Sequence, residues 1–324
     1  MLLAVIVAAT VFVAATNGAN ANFKGVASLY GSGTTSLRPA LLWGTATTFC
    51  GALAAALLAS GLLKQFGGRG LVAESLVADP LFVAAVGIGA ASTSLLATQF
   101  GFPVSTTHAL VGALLGAGLA AGGAIQWGAL GKNFVLPLVV SPMLAGALAA
   151  LLWPLLKAIG LASSHRTPAL DAAHFASTGA ASFARGLNDA PKMAALLMAA
   201  PEADANVAIV TVALAMAAGG LAGGRRVAET LGKGVTAMNP GQGFAASLAT
   251  AGLVTTASLN ALPVSTTHVA VGAMGGIGSI TRQAHWRKIG EIAGAWVTTV
   301  PCGALLAAVA WWAIRLTAGS RLGN

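Results

Sequence analysis

The chain has 324 residues, of which 56% are hydrophobic and only 8% charged, and its mean hydropathy is +0.82. A soluble globular domain carries about a quarter charged residues, so this composition excludes a water-soluble enzyme or binding module and describes an integral membrane protein that partners the lipid bilayer. The net charge of +9 does not indicate a nucleic-acid partner, because the basic residues fall in short segments between apolar runs, as membrane topology requires.

The apolar runs are long enough for helices rather than barrel strands. Residues 1–16 start a span that is interrupted from Asn17 to Lys24, and 25–36 are small and polar. The first 21 residues end in Ala19-Asn20-Ala21, a signal-peptidase-like pattern, but they carry no Lys or Arg, so a retained first span is expected. Residues 39–62 form a second span, and 63–79 a charged loop with Lys64, Arg69, Glu74 and Asp79. Residues 80–98 and 104–122 are apolar pieces around a Phe-Pro break, which fits either a re-entrant hairpin or two full spans. Residues 134–158 follow as a span, then the polar segment 163–168. The second half runs 172–199, 205–223, a charged loop with Arg225, Arg226, Glu229 and Lys233, then 242–260, 264–280 and a last span at 289–314. Cys50 and Cys302 lie inside apolar runs and read as small buried residues without disulfide or metal.

The two halves repeat each other. Pro103-Val104-Ser105-Thr106-Thr107-His108 recurs unchanged at Pro263-Val264-Ser265-Thr266-Thr267-His268, 160 residues later. A second word, G-x-N-x-x-x-K, occurs as Gly18 to Lys24 and again as Gly186 to Lys192, 168 residues apart. The division is therefore 1–160 as first repeat, 161–171 as central linker and 172–324 as second repeat. If the broken segments are hairpins, Arg38, Lys157, Arg166, Arg225, Arg226, Lys233, Arg282, Arg287 and Lys288 share one side, and Lys64, Arg69, Lys132, Arg315 and Arg321 the other. The nine against five place the first side in the cytoplasm and both termini outside. Equivalent loops then fall on opposite sides. That is an all-α membrane protein of two inverted-topology repeats with broken helices and re-entrant hairpins, an architecture of secondary transporters.

Lys24, Arg185, Asp189 and Lys192 lie within or beside apolar runs. A charge at the bilayer centre costs about 3 kcal/mol on insertion scales, so these four must line a polar cavity, pair, or meet a ligand. With three cations to one anion, the surplus suits an anionic ligand. Pro-Val-Ser-Thr-Thr-His has the form of a helix start, with Pro setting the turn and Ser or Thr capping free N–H groups. Such a start inside a membrane aims N–H donors and the positive dipole end at whatever faces it. Ser105, Thr106 and Thr107, with Ser265, Thr266 and Thr267, thus form two candidate anion cradles. His108 and His268 are candidate proton relays, though packing with a satisfied ring accounts for them as well. A Ser/His nucleophile pair lacks an orienting carboxylate, and no P-loop, dinucleotide or zinc spacing occurs. The chain therefore reads as a non-enzyme with no cofactor and no metal centre.

At these words the chain resembles the inorganic phosphate transporter family, some of whose bacterial members are similar to sulfate permeases. The resemblance spans nearly the whole chain. It implies a symporter that imports phosphate with Na+ or H+, with sulfate as the alternative substrate, in a bacterial inner membrane. It also implies that Asn20 and Asn188 line the central site, that Asp189 binds a coupling cation or shares a proton, and that the hairpin hydroxyls bind the oxyanion. Asn17 and Asn22 are weaker additions to the coupling-ion set, and Lys24 and Lys192 offset the charge of the substrate. The sequence departs from the family pattern at Ala21, where the family carries Asp. One carboxylate fewer weakens a symmetrical pair of sodium sites, since hard cations want oxygen ligands. Gly-rich spans permit a homodimer without showing one. An anion channel and a non-transporting scaffold are the competing classes.

Overall fold

A computed structural model describes residues 2–66, 70–200 and 202–322. Arg69, one of the cations in the orientation count, lies outside the described residues, as do the side chains of Lys64 and Arg321. The first half contains α1 (Leu2–Ala21), a 3-10 turn (Lys24–Val26), α2 (Ala27–Gly31), α3 (Leu37–Leu58), α4 (Ser60–Phe66), α5 (Glu74–Val77), α6 (Pro80–Gln99), α7 (Thr106–Ala120), α8 (Trp127–Leu130) and α9 (Leu136–Ala158). The second half contains α10 (Pro168–Leu197), α11 (Ala205–Ala222), α12 (Arg225–Gly234), α13 (Pro240–Leu259), α14 (Thr266–Thr281) and α15 (Trp286–Leu322). Among the described residues the extended pairing is a single bridge between Thr236 and Ala284.

Local sequence sets the helix starts. Asp79-Pro80, Thr167-Pro168 and Asn239-Pro240 each place a capping side chain directly before a proline. The proline needs no N–H partner in the first turn, and the cap satisfies a free amide further in. Asn239 completes a capping box with Gln242. The α6–α7 break is made by Gly101, whose φ of +75° is open to glycine, and by Pro103. The equivalent break before α14 uses Ala261 at φ +54°.

Six described helical stretches are long and apolar enough to cross a membrane, within Leu2–Gly31, Leu37–Leu58, Pro80–Gln99, Trp127–Ala158, Ala205–Ala222 and Trp286–Thr317. Helices α7, α10, α13 and α14 are not among them. Of these, α7, α10 and α14 carry the polar words of the sequence, and all four are largely enclosed by protein. Contacts between the halves correspond element for element. Helix α1 packs on α6 and α11, and α10 packs on α13 and α3; α7 packs on α15, and α14 on α9. The last two pairs close through Gly112 and Gly116 against Val300 and Ala304, and through Gly272 and Gly276 against Pro142 and Gly146. This small-xxx-small spacing lets backbones approach where lipid gives no hydrophobic drive.

Several sequence expectations are corrected. The first span does not break at Asn17: α1 continues to Ala21, because Asn17 and Asn20 find side-chain and backbone partners on neighbouring elements. The second span ends at Leu58 rather than near Gly61, and α4 and α5 occupy much of the expected 63–79 loop. The charged segment after α11 is helix α12, not a loop. It buries Val227, Ala228 and Leu231 on one face and carries an Arg225–Glu229 ion pair four residues apart on the other. Helix α10 starts at Pro168, inside the expected linker 161–171, and the Asp171 carboxylate of its first turn pairs with Arg166 at 2.6 Å. That contact holds the Arg166 pKa above its ordinary value.

Candidate functional site

The first G-x-N word runs from the end of α1 into the 3-10 turn and the second lies on α10, and these elements pack against one another. The glycine of each word permits close packing on a helix of the other half, α11 for Gly18 and α3 for Gly186. A Cβ on Gly18 would stand 2.0 Å from Met216 O of α11, and one on Gly186 would stand 2.1 Å from Thr48 O of α3. Both obstacles are backbone atoms and cannot swing away. Gly186→Ala is therefore expected to lower thermal stability by about 1–3 kcal/mol or more, as overpacking does. A melting curve of the purified protein in detergent checks this, and an unchanged midpoint would refute the packing argument.

Lys24, Arg185, Asp189 and Lys192 are all brought together, and none is more than 4% exposed. Asp189 is the centre. One oxygen, Oδ1, accepts from Lys192 Nζ at 3.0 Å, while Oδ2 lies 3.5 Å from Arg185 Nε and accepts from Thr266 Oγ1 at 3.4 Å and Asn17 Nδ2 at 3.5 Å. Arg185 also donates to Asn22 Oδ1 and Asn17 Oδ1, both at 2.5 Å. Among the described residues, the cluster holds three cations against one carboxylate.

The starts of α7 and α14 close on this cluster from both halves. Ser105 and Ser265 serve as caps, accepting from His108 N at 3.3 Å and His268 N at 3.2 Å. Lys24 Nζ donates to Val104 O at 2.6 Å and Thr267 Oγ1 at 2.5 Å. Lys192 Nζ does the equivalent, donating to Val264 O at 2.9 Å and Thr107 Oγ1 at 3.0 Å. Thr267 Oγ1 donates to Val104 O at 2.8 Å, and Thr107 Oγ1 lies 3.5 Å from Val264 O. Each lysine thus ties the tip of its own half to a hydroxyl of the other. Thr106 Oγ1 meets Asn17 Nδ2 at 2.5 Å.

The asparagines differ. Asn20 fixes the first tip, accepting from Val104 N at 3.1 Å and donating to Phe102 O and Thr98 Oγ1. Asn188 accepts from Lys192 and donates to Ser258 Oγ at 2.9 Å. Asn22 donates to Thr45 Oγ1 and Met216 O. The two histidines meet edge to face at 4.7 Å, and His268 stacks on Trp296 at 3.8 Å. Each Nδ1 faces a backbone carbonyl, Trp296 O for His108 and Leu138 O for His268, so it is the nitrogen that carries the hydrogen. No hydrogen bond found among the described residues joins either ring to the charged cluster.

The surroundings of the two lysines are unequal. Phe66 covers Lys192, with Nζ 5.5 Å from the ring centroid, and beyond Phe66 opens a cavity of about 790 Å³ walled by Phe82, Val86, Leu114 and Leu196. On the Lys24 side the space is about 10 Å³, lined by Ser28, Ser247 and Thr250. There Ser28 Oγ meets Ser247 Oγ at 2.6 Å and His174 Nε2 at 2.9 Å, and His174 Nδ1 meets Thr34 Oγ1 at 3.1 Å. Sequence reading missed this cluster, as well as the supporting hydroxyls of Thr45, Thr98 and Ser258. Its signal was the polar register of Ser28, His174 and Ser247, whose repeat partners Leu196, Ile6 and Gly87 are all apolar.

Known proteins resemble this chain in sequence and in fold. The sequence model of the phosphate transporter family matches residues 17–171 and 162–307. A probable low-affinity inorganic phosphate transporter of Rhizobium meliloti (strain 1021) is 34% identical over 78% of this chain and 79% of its own length. One from Mycobacterium tuberculosis (strain CDC 1551 / Oshkosh) is 30% identical over 98% of this chain and 79% of its own. A solved structure described as the sodium-dependent phosphate transporter superposes with a TM-score of 0.85 at 23% identity, covering 97% of this chain and 99% of that one. It shares the fold. With paired words in both halves, a charged cluster where they meet and relatives matched over most of their length, the chain belongs to the phosphate transporter family.

Proposed function

We propose that this protein is a secondary transporter of inorganic phosphate, driven by co-transported H+ or Na+. One observation carries the reading: a buried cluster of three cations and one carboxylate, ringed by threonine hydroxyls from two opposed helix starts. The cluster's net charge of two positive matches monohydrogen phosphate, a dianion. Phosphate also keeps an O–H that can donate to Asp189, whereas sulfate offers acceptors alone. The hydroxyls of Thr106, Thr107, Thr266 and Thr267 and the ammonium groups of Lys24 and Lys192 would hold the oxyanion. Asp189, with the amides of Asn17, Asn20, Asn22 and Asn188, would serve the coupling ion.

The element-for-element exchange of contacts between halves supports an inverted-topology repeat, with α6–α7 and α13–α14 as re-entrant hairpins. The positive-inside count still favours both termini outside.

Uptake of radiolabelled phosphate and sulfate into proteoliposomes, under an inward sodium gradient, an inward proton gradient or neither, tests the reading. Phosphate accumulation under one gradient is expected. Sulfate accumulation would reverse the substrate, and gradient-independent equilibration would make the protein a channel.

A further inference from the structure

The duplication aligns Asn17 with Arg185 and Ala21 with Asp189. Between Thr16 and Gly25 and their repeat partners, these are the two places where the halves differ in charge. Both belong to one contact. The Arg185 guanidinium reaches across from α10 and gathers the Oδ1 atoms of Asn17 and Asn22, each at 2.5 Å. It also stands 3.4 Å from Thr48 Oγ1 and 3.5 Å from Asp189 Oδ2. Two amide oxygens, a hydroxyl and a carboxylate form the kind of oxygen set that hard cations take. Here that set is held by a side chain.

We propose that Arg185 is a resident cation that takes the place of a co-transported one, so that phosphate binds this protein without sodium. The inference rests on the phosphate reading above and narrows its coupling ion. A sodium ion entering the cluster would face three fixed positive charges, Lys24, Arg185 and Lys192. With Ala21 in the first word, the carboxylate left to it would be Asp189, whose Oδ1 is already bonded to Lys192. A mobile ion leaves with the substrate, whereas a tethered guanidinium stays behind. Accumulation is therefore expected in the proton-gradient arm of the uptake assay.

The test is equilibrium binding of inorganic phosphate to the full-length protein in detergent, with sodium exchanged for choline at constant ionic strength. Wild-type Kd is expected to be the same in both. The double variant Ala21→Asp/Arg185→Asn removes the resident charge and supplies a second carboxylate. Its phosphate affinity is expected to tighten about tenfold or more with sodium, an ordinary linkage between two ligands. Arg185→Lys keeps the charge and is expected to remain indifferent to sodium. A merely bracing role for Arg185 would change stability but create no sodium dependence.

Sodium-dependent binding by the wild type overturns the inference and leaves the phosphate reading intact, as does a folded double variant that ignores sodium. If the double variant does not fold, the wild-type titration decides alone. A folded wild type that binds no phosphate under either cation overturns both readings.

Discussion

Asp189→Asn is expected to abolish concentrative phosphate uptake, with initial rates falling about 100-fold or more, because removing one partner of a buried ion pair costs about 3–5 kcal/mol. The substitution keeps the shape of the side chain and removes its charge. Lys192 then loses its carboxylate at 3.0 Å and Arg185 the one at 3.5 Å. An Asn amide would also turn its NH2 toward a donor in either orientation, facing Lys192 Nζ in one and Thr266 Oγ1 with Asn17 Nδ2 in the other. Among the described residues no other acidic side chain stands in the cluster, so nothing nearby takes over. Initial rates in proteoliposomes, normalised to inserted protein that elutes as a single species, measure this. Uptake at the wild-type rate would remove Asp189 from the mechanism.

Lys192→Ala is expected to lower uptake by about 30-fold or more, since each hydrogen bond to a charged group contributes about 1.5–3 kcal/mol. Four oxygens lose their donor at once, from Asn188, Asp189, Thr107 and the Val264 carbonyl. Lys24→Ala releases two, Val104 O and Thr267 Oγ1, and should cost less. Lys192→Arg is not expected to rescue, because a planar fork cannot reproduce four contacts made by a compact ammonium beneath Phe66. Comparing initial rates of the three variants at equal expression checks the order. Equal losses at Lys24 and Lys192 would mean that the site treats its halves alike.

Much of this was legible in the sequence because it was written twice. The identical Pro-Val-Ser-Thr-Thr-His words marked the starts of α7 and α14, and the spaced lysines marked the groups that meet those starts, from the 3-10 turn after α1 and from α10. Periodicity failed at Asn17: a polar residue in an apolar run looks like a break when its partners, Thr106 and Arg185, lie 89 and 168 residues away. It failed again at α12, whose charges read as a loop until the buried Val227 and Leu231 face is seen. The His174 cluster was hidden for a different reason. Its members come from α2, α10 and α13, none beside another in the chain, and none has a polar counterpart in the other half. Duplication exposes what the halves share and is silent about what they do not.

Most donors around Asp189 are already engaged; Arg185 Nε, 3.5 Å from Asp189 Oδ2, is the one without a hydrogen bond among the described residues. Lys24, Lys192, Thr107 and Thr267 each point at an oxygen of the protein itself. Apart from Arg185 Nε, an oxyanion entering here would find donors already bonded, and it would displace carbonyls and hydroxyls that then need other partners. Exchange of one bond for another returns little net free energy, however strong each bond is alone. Such a site grips loosely by construction. Loose grip and fast release are the same property viewed from opposite ends of the journey, and a carrier that must let go of its cargo at every turn is served by both.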